Sequence, residues 1–191
     1  MIGVLAAMAV AGAWPGDWRP SAAQSRRLAA GDVVVDVRAD RRRSAGVIRA
    51  AVDIRAEPRL IYAFLTSCAE APKLVAFVKD CRVITGPGPK GGWDLREADV
   101  SPAIVLPRVR AVFRSDFDFP HRIVFRCMPG SELRACNGEW RLDPTRTGAV
   151  RVTYVARIVS PYPAPQFVVR TMLRAEIAES LRKLRKLATE P

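Results

Sequence analysis

A chain of 191 residues, 49% hydrophobic and without repeats or long low-complexity tracts, suits one packed domain and excludes wholesale disorder. Its 31 Lys and Arg against 19 Asp and Glu give a formal charge of +12. That charge is unusual for a freely diffusing small-molecule enzyme and points to a polyanionic neighbour, either nucleic acid or an anionic membrane.

Residues 1–23 read as an export signal or an N-terminal anchor. Met1 to Ala13 is almost wholly apolar, Trp14-Pro15-Gly16-Asp17 breaks the run, and Ser21-Ala22-Ala23 supplies a small-x-small cleavage pattern. The run is too short to span a bilayer, and no Lys or Arg precedes it, so a misplaced start or a disordered tail is a third alternative. Cleavage would remove Asp17 and Arg19 and leave the net charge unchanged. Residues 24–46, with Val33-Val34-Val35 amid charges and Arg41-Arg42-Arg43 near the end, read as an extended lead-in.

From residue 47 the period becomes two. Ile48, Ala50, Val52, Ile54 and Ala56 share one face, and Arg49, Asp53 and Arg55 the other, as in a half-buried strand. Glu57-Pro58 opens a helix carrying Ile61, Phe64, Leu65 and Cys68, and a second short helix covers residues 72–78. Strands follow at 81–85, 93–101, 104–117, 121–127, 134–142 and 150–159, separated by turn signals such as Gly86-Pro87-Gly88 and Pro129-Gly130. This is an antiparallel meander. Pro161, Pro163 and Pro165 end it. Val169, Leu173, Ile177, Leu181, Leu184 and Ala188 then mark the apolar stripe of a long helix over residues 166–188.

Three phrases carry a family resemblance. They are Ala51-Val52-Asp53-Ile54-Arg55-Ala56-Glu57-Pro58 at the strand-to-helix junction, Gly138-Glu139-Trp140-Arg141-Leu142-Asp143-Pro144 in a strand, and Val152-Thr153-Tyr154 ahead of the proline-bounded final helix. Residues 29–188, and above all a START-like domain at 47–189, resemble the START-like (SRPBCC) superfamily in its bacterial polyketide cyclase/dehydrase and coenzyme-Q-binding-like branch. The resemblance implies an α+β helix-grip fold. A curved antiparallel sheet of six or seven strands would surround a long C-terminal helix, with two short helices after the first strand. These motifs are structural rather than catalytic. The apolar N-terminus, the arginine load and the lack of a polar cluster that would mark a cyclase depart from the family pattern.

Such folds leave a hollow between sheet and helix that suits an apolar ligand. By alternation its candidate contacts are Phe113, Phe117, Phe125, Trp140 and Tyr154, with Val109 and Ile158 in the same phase and Met172 and Leu173 from the helix. Ordinary core packing is the competing account of each, and a structural hydrogen bond is expected for Trp140 and Tyr154.

Arg108, Arg110, Arg114, Arg122, Arg126, Arg141, Arg151 and Arg157 share the opposite phase and are expected on the outer face of the sheet. They serve either as a solvated surface braced by Asp94, Asp116 and Glu139 or as a membrane-docking face gripping headgroup phosphates. Nucleic acid is disfavoured, because neither exposed aromatics nor a reading helix is evident.

Cys68, Cys81, Cys127 and Cys136 allow three disulfide pairings, or in a reducing compartment four buried thiols. Cys68–Cys81 is the pairing expected, tying the first helix's end to the next strand. Cys127 and Cys136 flank a hairpin that a second bridge would cross.

Catalytic patterns are thin. No histidine pair, metalloprotease, serine-hydrolase, phosphate-loop or dinucleotide motif occurs, and no Cys/His cluster suggests a metal. His121 reads as an exposed bystander, and Asp116 with Asp118 reads more simply as ion pairing than as proton transfer. The residues favour non-catalytic binding or transport of a lipid or isoprenoid-like molecule. The expected protein is a monomer without cofactor, periplasmic or otherwise exported, and cytoplasmic if the N-terminus is no signal. The alternatives are a polyketide cyclase, aromatase or dehydratase, and a basic surface module engaging nucleic acid or a protein partner.

Overall fold

The computed structural model describes residues 18–40, 45–101 and 107–190. Most of the expected N-terminal segment, Arg41 to Arg43 and the start of the strand expected at 104–117 lie outside the described residues.

Eight strands form one antiparallel sheet. They are β1 (Val34–Asp40), β2 (Ala45–Ile54), β3 (Val78–Gly88), β4 (Trp93–Val100), β5 (Val109–Asp118), β6 (Arg122–Cys127), β7 (Ala135–Pro144) and β8 (Val150–Val159). Their spatial order is β1-β2-β8-β7-β6-β5-β4-β3, so the chain crosses once, from β2 through the short helices α2 (Pro58–Thr66) and α3 (Ala71–Leu74) to the far edge, and then meanders back. The C-terminal helix α4 (Gln166–Thr189) lies over β1 and β2. Its Ile177, Leu181, Leu184 and Ala188 bury into a core with Ile48, Val52, Ile54 and Val152. The arrangement is the α+β helix grip.

The strand count is eight rather than six or seven, and the extra strand corrects the reading of residues 24–46. That stretch is not an extended lead-in. It holds helix α1 (Ala22–Ala29) and β1. Ser21 caps α1 by accepting from the Gln24 amide, and the Gln24 side chain accepts from the Ser21 amide. The Ser21-Ala22-Ala23 triplet thus opens a helix. β1 does alternate: Val35 and Val37 pack on the core under α4, while Asp36 and Arg38 pair on the opposite face, where Val34 packs with Leu28 of α1 and Ala51. The alternation covers few residues between charged flanks, which an extended segment shows equally. Among the described residues no helix is long and apolar enough to cross a membrane.

Candidate functional site

The concave face of the sheet and the three helices α2, α3 and α4 enclose two apolar chambers. The inner one, about 230 Å³, is lined by Phe113, Phe117, Phe125 and Trp140 from the sheet and by Leu74 and Leu181 from the helices, among others. The outer one, about 260 Å³, lies beneath the first turns of α4 against Val109, Tyr154, Ile158, Met172 and Leu173. Val75, Val78 and Val100 line both, so the chambers are neighbours in one hollow. The seven candidate ligand contacts therefore divide: Phe113, Phe117, Phe125 and Trp140 belong to the inner chamber, and Tyr154, Met172 and Leu173 to the outer.

Two glycines make room for these walls. A Cβ on Gly138 would collide with the Phe125 ring, and one on Gly46 would sit 2.6 Å from Leu173 Cδ1. Tyr154 stacks between Phe125 and Trp140, with ring centroids 6.2 and 4.2 Å away. The hydrogen bonds expected for Trp140 and Tyr154 are not formed within the described residues. Aromatic stacking holds the two side chains instead. Burial pushes the Tyr154 hydroxyl pKa upward, so it stays a protonated donor.

One end of the inner chamber is polar, which sequence reasoning missed. Arg96 lines it at 5% exposure, and Asp94 lies behind at 0%. They form a two-pronged ion pair, Nε donating to Oδ1 and Nη2 to Oδ2, each at 2.7 Å. The guanidinium also lies 5.3 Å over the Phe117 ring. Ser115, opposite Asp94 in the β4–β5 register, is buried beside them. The Tyr62 hydroxyl is buried without a partner. Its pKa is pushed up to about 12, chiefly by burial and then by Asp118, with Arg96 opposing.

Asp94 therefore does not brace the outer face, and a polar cluster does exist. β4 offers two mixed phases, Trp93, Leu95, Glu97 and Asp99 against Asp94, Arg96, Ala98 and Val100. Neither is plainly apolar, and only the spacing of an acid and an arginine two apart hinted that the second carries its own neutraliser.

The outer arginines are not one uniform surface. Arg114 and Arg126 both reach Asp116, Arg122 and Arg141 reach the buried Glu139, and Arg151 forks onto Asp53. Arg141 also donates to the Trp18 carbonyl and Arg151 to Ser25, which ties the α1 segment to the sheet. Arg108, Arg110 and Arg157 have no acidic side-chain partner among the described residues. They stand at the α4 end of the sheet, where β5 begins and β8 finishes. Arg134, Arg170 and Arg174 join them there, and so do Tyr162 and Phe167, exposed by 37% and 66% beside the outer chamber.

Disulfides join Cys68 to Cys81 and Cys127 to Cys136, with Cα atoms 5.1 and 5.0 Å apart. Cys81 and Cys136 line the inner chamber. His121 is exposed in the β5–β6 turn. No group of three potential metal ligands occurs among the described residues.

The family model described as polyketide cyclase / dehydrase and lipid transport matches residues 45–189. Comparison with curated proteins returned no significant match. Among solved structures, the chain is similar to a STAR-related lipid transfer protein of Xanthomonas axonopodis at 16% identity and a TM-score of 0.64, covering 81% of this chain and 92% of that one. It is similar to the human StarD13 lipid transfer and protein localization domain at 11% identity and a TM-score of 0.62, covering 88% and 95%. It also resembles the Zhui aromatase/cyclase of Streptomyces at 14% identity and a TM-score of 0.57, covering 75% and 91%. Likenesses at these identities show the fold.

Proposed function

The chain belongs to the polyketide cyclase / dehydrase and lipid transport family, and on that premise we propose that it binds and carries an elongated apolar molecule, a lipid or isoprenoid-like compound, without transforming it. The observation that carries this reading is the pair of neighbouring apolar chambers, with Arg96 at one end of the inner chamber and Glu176 on the wall of the outer one. Two small chambers in series suit a chain better than a bulky ring system. A cyclase reading draws support from Arg96, whose guanidinium would polarise a carbonyl. Proton transfer would also need an acid or base: no histidine or carboxylate lines the inner chamber among the described residues, and the Glu176 carboxylate of the outer chamber is engaged by the Ala76 amide. Binding is therefore favoured over catalysis.

Native mass spectrometry of protein purified from its own host tests the reading. A retained apolar mass is expected, and it should vanish in Ala111→Phe, which fills the inner chamber. No retained mass, together with no uptake of any apolar probe, would sink it.

Delivery would take place at an anionic membrane, and the α4 end is the face we assign to it. Its support is the contrast among the arginines: five of the eight outer candidates are engaged with acids, whereas Arg108, Arg110 and Arg157 have no acidic side-chain partner among the described residues and stand near exposed Tyr162 and Phe167. Each basic residue near an anionic surface contributes about 1 kcal/mol, and salt screens it over roughly 8 Å. Replacing Arg108, Arg110, Arg170 and Arg174 with Gln should therefore weaken binding to anionic vesicles and leave ligand uptake intact. Equal binding to neutral and anionic vesicles would overturn the assignment. An exported, oxidising location fits the two disulfides.

A further inference from the structure

The inner chamber holds an arginine whose charge is already cancelled. Asp94 takes two of its five N–H groups through the fork described above, and both residues are buried. The remaining donors, two on Nη1 and one on Nη2, have no acceptor among the described residues, yet Arg96 faces the cavity. Ser115 adds a buried hydroxyl in the same lining. Tyr62 holds a second, unpartnered hydroxyl within electrostatic reach of Arg96 and Asp94. The polar end of the hollow therefore offers the unused guanidinium donors of Arg96 and carries no net charge.

We propose that this end selects apolar ligands terminating in an uncharged oxygen, such as an ester, ketone or alcohol, and rejects free carboxylates, with Asp94 as the residue that sets the choice. The inference rests on the cavity-binding reading and names its ligand class.

The physical argument is a matter of charge. A buried N–H without an acceptor is costly, so a carbonyl or hydroxyl oxygen arriving at Arg96 is favoured and adds no charge. A carboxylate would also find donors, but it would place a second negative charge beside Asp94 with one guanidinium between the two. In a low-dielectric chamber that repulsion and the lost hydration count against it. No other cation lines the chamber among the described residues. The polar groups lining this chamber are Arg96 from β4, Ser115 from β5, Ser67 at the end of α2 and Ser180 from α4, with Asp94 behind Arg96, and Tyr62 and Asp118 within electrostatic reach. A fatty acid would therefore enter in its protonated form, and its affinity should climb as pH falls toward the carboxyl pKa. Binding of an ester or alcohol should stay flat over the same range.

The experiment uses the full chain, stripped of lipid, and three probes of one chain length: palmitic acid, its methyl ester and the corresponding alcohol. Each competes against a fluorescent apolar dye at neutral and mildly acidic pH. Ester and alcohol should bind at neutral pH, with palmitate weaker by about tenfold or more and the gap closing on acidification. In Asp94→Asn the guanidinium is uncompensated, so palmitate should gain about tenfold or more at neutral pH while the ester changes only a few-fold. If that variant fails to fold, the paired apolar variant Asp94→Val with Arg96→Met serves instead, and in it the ester and the alcohol should bind several-fold more weakly, because the guanidinium donors are gone; unchanged ester and alcohol binding overturns the inference. Palmitate binding the wild type as tightly as the ester at neutral pH overturns the inference while leaving the cavity reading intact. Failure of all three probes to bind removes the cavity reading and the inference together.

Discussion

β4 and β5 carry the same device twice, once on each face of the sheet. On the concave face Arg96 grips Asp94 two residues away at 2.7 Å and lies over Phe117. On the convex face Arg114 grips Asp116 two residues away at 2.8 Å, with its guanidinium 4.6 Å from the Trp93 ring centroid. The inner arginine forks onto both carboxylate oxygens and the outer one reaches Oδ1 alone, and the surroundings differ further. The side chains of the inner pair are 7% and 0% exposed, and those of the outer pair 32% and 34%. Water screens the outer pair and can replace either lost partner, whereas a lost partner inside leaves a charge stranded. The same residue types in the same spacing form a surface brace on one face and a buried polar end of the chamber on the other.

Breaking the inner pair should show the largest effect. Asp94→Ala or Arg96→Ala strands a buried charge and is expected to cost about 3–5 kcal/mol in denaturant unfolding. Replacing both together with apolar residues of similar volume should recover most of that loss. A single variant losing under about 1 kcal/mol would mean that water reaches the pair, and the contrast between faces would fall.

The concave side is also held covalently, since Cys81 and Cys136 line the chamber. Removing the Cys68–Cys81 bridge with a double Ala change opens a 13-residue separation. It should cost about 3 kcal/mol on the chain-entropy account. The Tm of oxidised wild type, set against that of the variant, measures it.

On the convex face Asp116→Asn removes the shared partner of Arg114 and Arg126. Its cost should stay below about 1 kcal/mol and shrink further in high salt, as expected of an exposed pair. A salt-insensitive loss comparable with the inner variants would erase the distinction.

The smallest effect near neutral pH belongs to Tyr62→Phe, which deletes an unpartnered buried hydroxyl at little or no cost. Its signature lies at high pH. The Tyr62 pKa is raised in the folded state from 10.0 to about 12. Between those values the unfolded chain loses its proton and the folded one keeps it, so the stability contribution is full below pH 10 and is lost as pH rises toward about 12. Tyr62→Phe should flatten that alkaline slope without abolishing it, because Tyr154 is shifted in the same direction. An unchanged slope would place the Tyr62 hydroxyl in contact with water.

Local pattern alone was enough to specify β2 and α4. Ile48, Ala50, Val52 and Ile54 alternate because one face of β2 meets the core, and Ile177, Leu181 and Leu184 recur at helical spacing because one stripe of α4 does. The aromatic walls of the hollow were legible for the same reason: Phe113, Ser115 and Phe117 keep one phase along β5. Burial on a single face leaves a period in the residue order, and a period can be read without coordinates.

Tertiary structure alone decided two further matters. It turned Asp94 and Arg96 inward, because a charge can be buried once its partner is in place, and the β4–β5 register that sets Asp94 opposite Ser115 and Arg96 opposite Phe113 is not written in either strand. It also divided the arginines into those engaged with acids and those without an acidic partner among the described residues at the α4 end. Each of these turns on contacts between residues far apart in the chain, such as Arg151 with Asp53 and Arg141 with Trp18. Hydrophobic periodicity is a property of single segments, whereas the pairing of charges is a property of their assembly.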